Sequence, residues 1–223
     1  VYGVADEDVV DESSRVNPQT AYAECKVRVE QDVGAMADSS FAPVFLRNAT
    51  AYGASPRMRF DIVLNNLAGL AWTAGKIAMI SDGTPWRPIV HIEDIGTAIA
   101  SCLTAPAEDI AGEIFNVGAS AENYRVREIA EIVHEVFPES ELTFGPSGGD
   151  NRSYRVSFDK IDANLPGFRC RWTALEGARQ LRKVFERIQM SKEDFESPPY
   201  TRLRCLQNLI ATGQIDDSYF WAT

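Results

Sequence analysis

Tyr22 and Lys26 stand four residues apart in the run Asn17-Pro18-Gln19-Thr20-Ala21-Tyr22-Ala23-Glu24-Cys25-Lys26, and Val27, Val29, Val33 and Met36 follow at helical spacing. The run predicts a loop that opens a helix over residues 19–37. A phenol and an ammonium four residues apart share one helix face and can enter one site. A neighbouring ammonium favours phenolate over phenol, which suits a tyrosine to proton transfer at neutral pH. The same spacing also describes an ordinary amphipathic helix whose Tyr packs and whose Lys is solvated. Spacing alone leaves both readings open.

The elements around the pair alternate between strand and helix. Residues 4–18 are acidic and polar and predict a surface loop. Phe41-Ala42-Pro43-Val44-Phe45-Leu46-Arg47 suits a buried parallel strand. Residues 57–74 carry Met58, Ile62, Leu67, Leu70 and Ala71 on one helical face. Strands are predicted at 76–80 and 88–92, with Glu93 and Asp94 in the first turn of the helix that follows. That helix ends near Pro106. A strand at 113–117 ends at Gly118, and Asn123 is the expected N-cap of a helix bearing Ile129, Ile132, Val133 and Val136. Leu142-Thr143-Phe144 is a short strand before Gly145–Asp150, a Gly-rich turn that could also cradle a phosphate. Thr173-Ala174-Leu175-Glu176 has capping-box spacing and opens a helix to about Gln189. A tail from Lys192 holds a helix at 200–212 and the aromatic run Tyr219-Phe220-Trp221, suited to docking on this chain or on a partner. The alternation predicts an α/β fold.

Composition narrows the function classes. Apolar residues make up 45% of 223, enough for a core. A net charge of −10 argues against a nucleic-acid partner, although a few local arginines can still hold a small anion. Cys25, Cys102, Cys170 and Cys205 lack C-x-x-C spacing, so no metal site is expected; scattered thiols fit a reducing cytoplasm. His91 reads as a packing residue within an apolar strand, and His134 as a surface residue. No apolar run approaches the roughly 20 residues a membrane span needs.

Several runs fall in a telling order: Val1-Tyr2-Gly3, Asn17-Pro18, Tyr22 with Lys26, Leu46-Arg47-Asn48-Ala49-Thr50-Ala51-Tyr52-Gly53, Asn65-Asn66-Leu67, Ser81 to Asp94, and Phe115-Asn116-Val117-Gly118. This series resembles the extended short-chain dehydrogenase/reductase family, the NAD-dependent nucleotide-sugar epimerases and dehydratases, from Val1 to about residue 185. The resemblance implies the C-terminal half of a doubly wound parallel, Rossmann-like sheet with a smaller α+β substrate lobe. It places a partial dinucleotide domain at 1–55 and 89–118, a substrate lobe at 56–88 and 119–190, and a helical tail at 191–223. In that family the Tyr matching Tyr22 moves a sugar-hydroxyl proton, and the Lys matching Lys26 holds the nicotinamide ribose.

By the same resemblance, Ala49 lies against nicotinamide, Thr50 near the sugar, and Asn66, Leu67 and Arg87 at the nucleotide diphosphate. The family's usual Arg position is Ser147 here, so Arg152 is the expected second arginine. NAD is the implied cofactor, with NADP as the alternative, a nucleotide sugar the substrate, and a homodimer the assembly. The family's Gly-rich phosphate turn is absent, so the chain is expected to be a C-terminal fragment, inactive alone, that starts just after the catalytic Ser or Thr. A 4-keto-sugar reductase, a 4,6-dehydratase, or a non-catalytic dinucleotide sensor or scaffold of the same fold also fits these residues.

Overall fold

A computed structural model of the protein describes residues 1–3, 7–148 and 153–222. The chain begins with β1 (Val9–Val10), α1 (Ala21–Gly34), β2 (Phe45–Asn48) and β3 (Thr50–Tyr52). Next come α2 (Val63–Ala74), β4 (Lys76–Ala78), β5 (Trp86–His91), α3 (Ile92–Thr104), α4 (Ala107–Ile110) and β6 (Ile114–Val117). Then follow β7 (Asn123–Arg125), α5 (Val126–Val136), β8 (Glu141–Thr143), β9 (Arg155–Val156) and α6 (Asp159–Asn164). The last elements are α7 (Ala174–Ile188), α8 (Lys192–Glu196) and α9 (Arg202–Ala211).

Pairing is parallel between β1 and β9, β2 and β6, β3 and β5, and β4 and β8. Only β5 with β7 is antiparallel among the described strands. The central feature is one continuous segment, residues 45–52. Its first half registers Asn48 against Val117 of β6, and its second half registers Thr50 against Ile89 of β5. The change of partner falls at Ala49, whose N–H donates to the Val117 carbonyl at 3.0 Å. In open α/β sheets, ligands collect where strand order reverses.

Two apolar clusters flank this segment. One gathers Tyr2, Val90, Ile95, Phe115 and Val117 together with Val156, Phe158 and Ile161. The other gathers α2, α5 and α7 through Leu64, Ala68, Ile129, Val133, Leu181 and Phe185.

α1 starts where the sequence places it. The Thr20 Oγ1 accepts the Ala23 N–H at 3.2 Å, and Glu24 adds a carboxylate in the first turn. Yet α1 buries no residue, and Val29 and Met36 remain exposed. The α7 capping box is present, with Thr173 and Glu176 satisfying each other's backbone N–H groups.

Other expectations shift. α2 begins at Val63 rather than 57, because the backbone before it is bonded elsewhere: the Phe60 N–H donates to the Tyr200 carbonyl at 3.0 Å. Asn123 is not a helix cap. It lies in β7, where its side chain bonds both backbone groups of Val156. α5 is capped instead by Glu128, whose carboxylate accepts the Arg125 N–H. His134 is half-buried, 3.4 Å from the Ser140 hydroxyl. Tyr219, Phe220 and Trp221 are exposed, on a terminal turn closed by Asp216 N–H to the Phe220 carbonyl. The cysteines are free.

Candidate active site

Tyr22 stands at the junction of two clefts. The first, about 390 Å³, is lined by Tyr22, Lys26, Glu30, Asn48, Ala49 and Asn116 among others. The second, about 810 Å³, runs past Tyr22, Ala49, Thr50, Tyr52, Asn65 and Arg87. Tyr22, Asn48, Ala49 and Tyr154 belong to both walls, so the clefts meet where β2 becomes β3. Tyr22 is 71% exposed, open to ligand from either side, and the Lys26 Nζ lies 5.4 Å from its ring centroid.

What fixes α1 is a polar lock on the floor of the first cleft. Glu30 sits two turns beyond Tyr22 on the same helix face. Arg47 of β2 grips its carboxylate with two bonds, Nε at 2.9 Å and Nη2 at 2.7 Å. Arg47 also donates to the Tyr2 hydroxyl at 3.1 Å, and that hydroxyl donates to the Asn116 Oδ1 at 2.7 Å. Burial works against the Arg47 charge, but bonds to Glu30 and Tyr2 overcome it and hold the guanidinium above its ordinary range. Burial pushes the Tyr2 phenol up as well, against the lowering influence of Arg47. The approach to α1 is tied by Asn17 N–H to the Val1 carbonyl at 3.0 Å. Gly3 at φ +66 makes room for this contact, since a Cβ there would stand 1.9 Å from the Asn17 oxygen.

The second cleft rests on a buried histidine. The Nδ1 of His91 accepts the Glu93 N–H at 3.2 Å, which leaves the proton on Nε2 to donate to Gln180 Oε1 at 2.9 Å. His91 stacks on Trp172 with centroids 3.9 Å apart and meets Tyr52 edge-on at 5.2 Å. Burial lowers its pKa, with Gln180, Glu93 and Asp94 working the other way. It is a packing residue, as its apolar strand suggested.

The expected site residues separate into groups. Tyr22, Lys26, Ala49, Thr50 and Arg87 line the joined clefts. Arg87 is half-buried on β5, and its Nη1 bonds the Trp86 carbonyl at 2.7 Å. Asn66 lines neither cleft; its amide donates to the Phe60 carbonyl at 2.9 Å. Leu67 is a core residue, 5% exposed and packed within the second apolar cluster, so its side chain forms no wall. Both departures follow from helix geometry: successive residues of α2 turn about 100° apart, so only one of three neighbours faces the cleft. That neighbour is Asn65, which accepts the Gly53 N–H at 2.9 Å and donates to the Arg59 carbonyl at 3.0 Å. Arg152 lies outside the described residues.

Sequence reasoning missed Asn65, Tyr154, Glu30 and Arg47. Glu30 carried a signal, since Tyr22, Lys26 and Glu30 repeat at four-residue spacing.

A profile of the NAD dependent epimerase/dehydratase family matches residues 1–118, more than half of the 223. The fold is similar to UDP-glucose 4-epimerase from Thermotoga maritima, with TM-score 0.72 and 20% identity over 85% of this chain and 61% of that one. It is similar to the dTDP-glucose 4,6-dehydratase DesIV of Streptomyces venezuelae, solved with NAD bound, with TM-score 0.70 and 21% identity over 89% and 60% of the two chains. UDP-glucuronic acid 4-epimerase from Bacillus cereus, solved with UDP-glucuronic acid and NAD, gives TM-score 0.70 and 21% identity over 84% and 59%. The chain spans about 60% of the length of these structures. With the strand switch at Ala49, the paired Tyr22 and Lys26, and the profile match across them, the chain belongs to the NAD dependent epimerase/dehydratase family.

Proposed function

We propose that the protein acts as an NAD(P)-dependent epimerase/dehydratase-type oxidoreductase on a nucleotide sugar. The observation that carries this reading is Tyr22 at the meeting of two clefts with Lys26 beside its ring. One cleft suits the nicotinamide end of a dinucleotide and the other a sugar diphosphate. The residues fit the first ligand: Lys26 offers an ammonium to a ribose hydroxyl, and the small Ala49 leaves a flat ring room. NAD rather than NADP is favoured because several structures of this fold hold NAD. When bound, the nicotinamide accepts and returns hydride.

The chain's own residues do the rest. A carbinol that loses hydride must also lose its hydroxyl proton, and the Tyr22 Oη takes that proton and later gives it back. Lys26 stabilises the charge on the phenolic oxygen. Thr50 meets the sugar, while Arg87, with Arg152 as its partner, holds the diphosphate by charge-assisted bonds. A 4,6-dehydratase or 4-keto-sugar reductase would use the same pair, whereas a non-catalytic sensor would have no need of it.

The two apolar clusters support a partial dinucleotide lobe at 1–55 and 89–118 and a substrate lobe at 56–88 and 119–190, except that Val156, Phe158, Ile161, Leu165 and Phe168 pack on the first and Tyr52 and Ile89 on the second. Exposed Val29 on α1 and Met36 in the turn after it, with Ile99 and Leu103 on α3, support a homodimer. Among the described residues no helix is long and apolar enough to cross a membrane; the free thiols fit the cytoplasmic setting we assign.

The test is Tyr22→Phe in the full-length protein, assayed with NAD and a panel of UDP- and dTDP-hexoses. Turnover should fall by about 10²–10⁴-fold while NAD affinity holds. Lys26→Ala should damage both. Near-normal turnover for Tyr22→Phe would remove the acid/base role.

A further inference from the structure

One wall of the second cleft is a loop. Ser55, Arg57, Met58, Arg59 and Asp61, between β3 and α2, line it. A loop has no continuous ladder of backbone bonds, so side chains must hold its shape. Its root is clamped from two helices. Gly53, at φ +104, turns the chain so that its own N–H donates to the Asn65 Oδ1 of α2 at 2.9 Å. The next N–H, that of Ala54, donates to the Gln180 Oε1 of α7 at 3.1 Å. The Gln180 Oε1 also accepts from the His91 Nε2 at 2.9 Å, and the Gln180 Nε2 donates to the Glu93 Oε1 at 3.0 Å. Both ends of one amide are thereby engaged, by the loop, the end of β5 and the first turn of α3.

The residue type fits the place. The position needs an acceptor for two N–H donors and a donor for a carboxylate, and a side-chain amide offers both. A carboxylate there would accept the two donors but face Glu93 as a like charge. Packing brings the arm within reach. α7 lies in the second apolar cluster through Ala178, Leu181 and Phe185, while Ile95 and Ala98 of α3 lie in the first, so Gln180 bridges the two. Three residues earlier on α7, Gly177 lies against Tyr52, where a Cβ would stand 2.2 Å from the Tyr52 Cε2. That close approach puts the amide beside the Ala54 backbone. Gln180 itself lines neither of the joined clefts.

We propose that Gln180 is a positioning residue: it sets the 53–61 wall for the nucleotide sugar without touching it. Without the amide, the Ala54 N–H and the His91 Nε2 lose their acceptor, and the wall gains freedom that a bound sugar must freeze out again. The loss falls on the second cleft and spares the first. This role rests on the nucleotide-sugar reading above.

Amide hydrogen exchange and steady-state kinetics on the full-length protein test it, with NAD and with UDP-glucose, UDP-glucuronate, UDP-N-acetylglucosamine and dTDP-glucose as probes. Gln180→Leu keeps much of the volume and removes all three bonds. Amides of residues 53–61 should then exchange about ten-fold faster without sugar, while those of 45–48 hold. The KM for each probe turned over should rise about ten-fold, with kcat changed by less than about three-fold and NAD affinity unchanged. Gln180→Glu sets two carboxylates across a 3.0 Å contact and should raise KM as well. Adding Glu93→Gln reverses the direction of that bond, keeps those to Ala54 and His91, and should return KM to within about two-fold of the parent. An unchanged KM in Gln180→Leu overturns the proposal and leaves the nucleotide-sugar reading intact. Exchange that quickens equally at 45–48 also overturns it, because the amide then serves the fold as a whole. A paired variant no better than Gln180→Glu does the same. Absence of turnover with all four probes in the parent protein overturns the nucleotide-sugar reading and this role with it.

Discussion

Gly53 shows how tightly the cleft floor is specified by single residues. It sits at φ +104, and a Cβ built there would stand 2.2 Å from the His91 Nε2. Gly53→Ala therefore meets both a backbone conformation that L side chains avoid and a ring that is stacked on Trp172 and cannot retreat. It should cost at least about 1–3 kcal/mol, seen as a lowered urea midpoint. An unchanged midpoint would mean that the His91 stack gives way easily. The glycine was visible in the sequence as the end of Thr50-Ala51-Tyr52-Gly53, but its reason was not. The ring it must clear lies 38 positions away, on a neighbouring strand. The same limit explains α2. Apolar spacing announced the helix, yet which of Asn65, Asn66 and Leu67 would face ligand depended on the helix's rotation about its axis. That rotation is set by packing against α5 and α7.

At the scale of the element, α1 is an unusual carrier for the acid/base pair proposed above, because nothing on it is buried. Its hold on the sheet runs through Glu30 and Arg47, whose side chains are only 15% and 9% exposed. Removing one partner leaves the other charge in a poorly solvated place. Glu30→Ala should thus lower stability by about 3 kcal/mol. It should also reduce turnover in the full-length protein while Tyr22 and Lys26 stay intact. Thermal unfolding and kinetics check the two halves, and a variant with full stability and full turnover would show that α1 is held by other contacts. The helix, and the face that Tyr22 and Lys26 share, were legible from four-residue spacing. The lock was half legible: Glu30 continues the face, but Arg47 lies 17 residues on, inside a run that reads only as an apolar strand. β7 was missed for a related reason. Asn123 has the chemistry of a cap, and only the nearby Val156 backbone recruits it into a strand.

For the molecule as a whole, pH acts through buried groups of opposite sense. The folded pKa of His91 is lowered from 6.5, so the unfolded chain binds more protons just below that value. The contribution of His91 is complete above about pH 6.5 and is lost as pH falls. Glu122 runs the other way. Burial pushes its carboxyl up, against bonds from the Ala174 N–H and the Tyr124 hydroxyl, so its contribution is present at low pH and lost as pH rises above the ordinary carboxylate value. The thermal midpoint followed from about pH 7.5 to 5.5 should fall less steeply in His91→Gln than in the parent protein. Parallel slopes would clear His91 of the effect. The alternation that predicts an α/β fold was fully legible at this scale, since it needs only the period of the apolar residues. The meeting of residue 60 with residue 200 was not, since no local pattern reports a contact 140 positions apart.

The partner exchange at Ala49 has a mechanical consequence. Residues 45–52 are one rod, bonded along its first half to β6 and along its second to β5. Both clefts use this rod as a wall. The two ligands proposed above, one on each side of position 49, would be carried by the same backbone. The gap between them would then be set by one paired strand segment and not by the separate outer walls of the clefts. The reaction proposed here, which sends a hydride out and takes it back, would need that gap to stay constant over both passages.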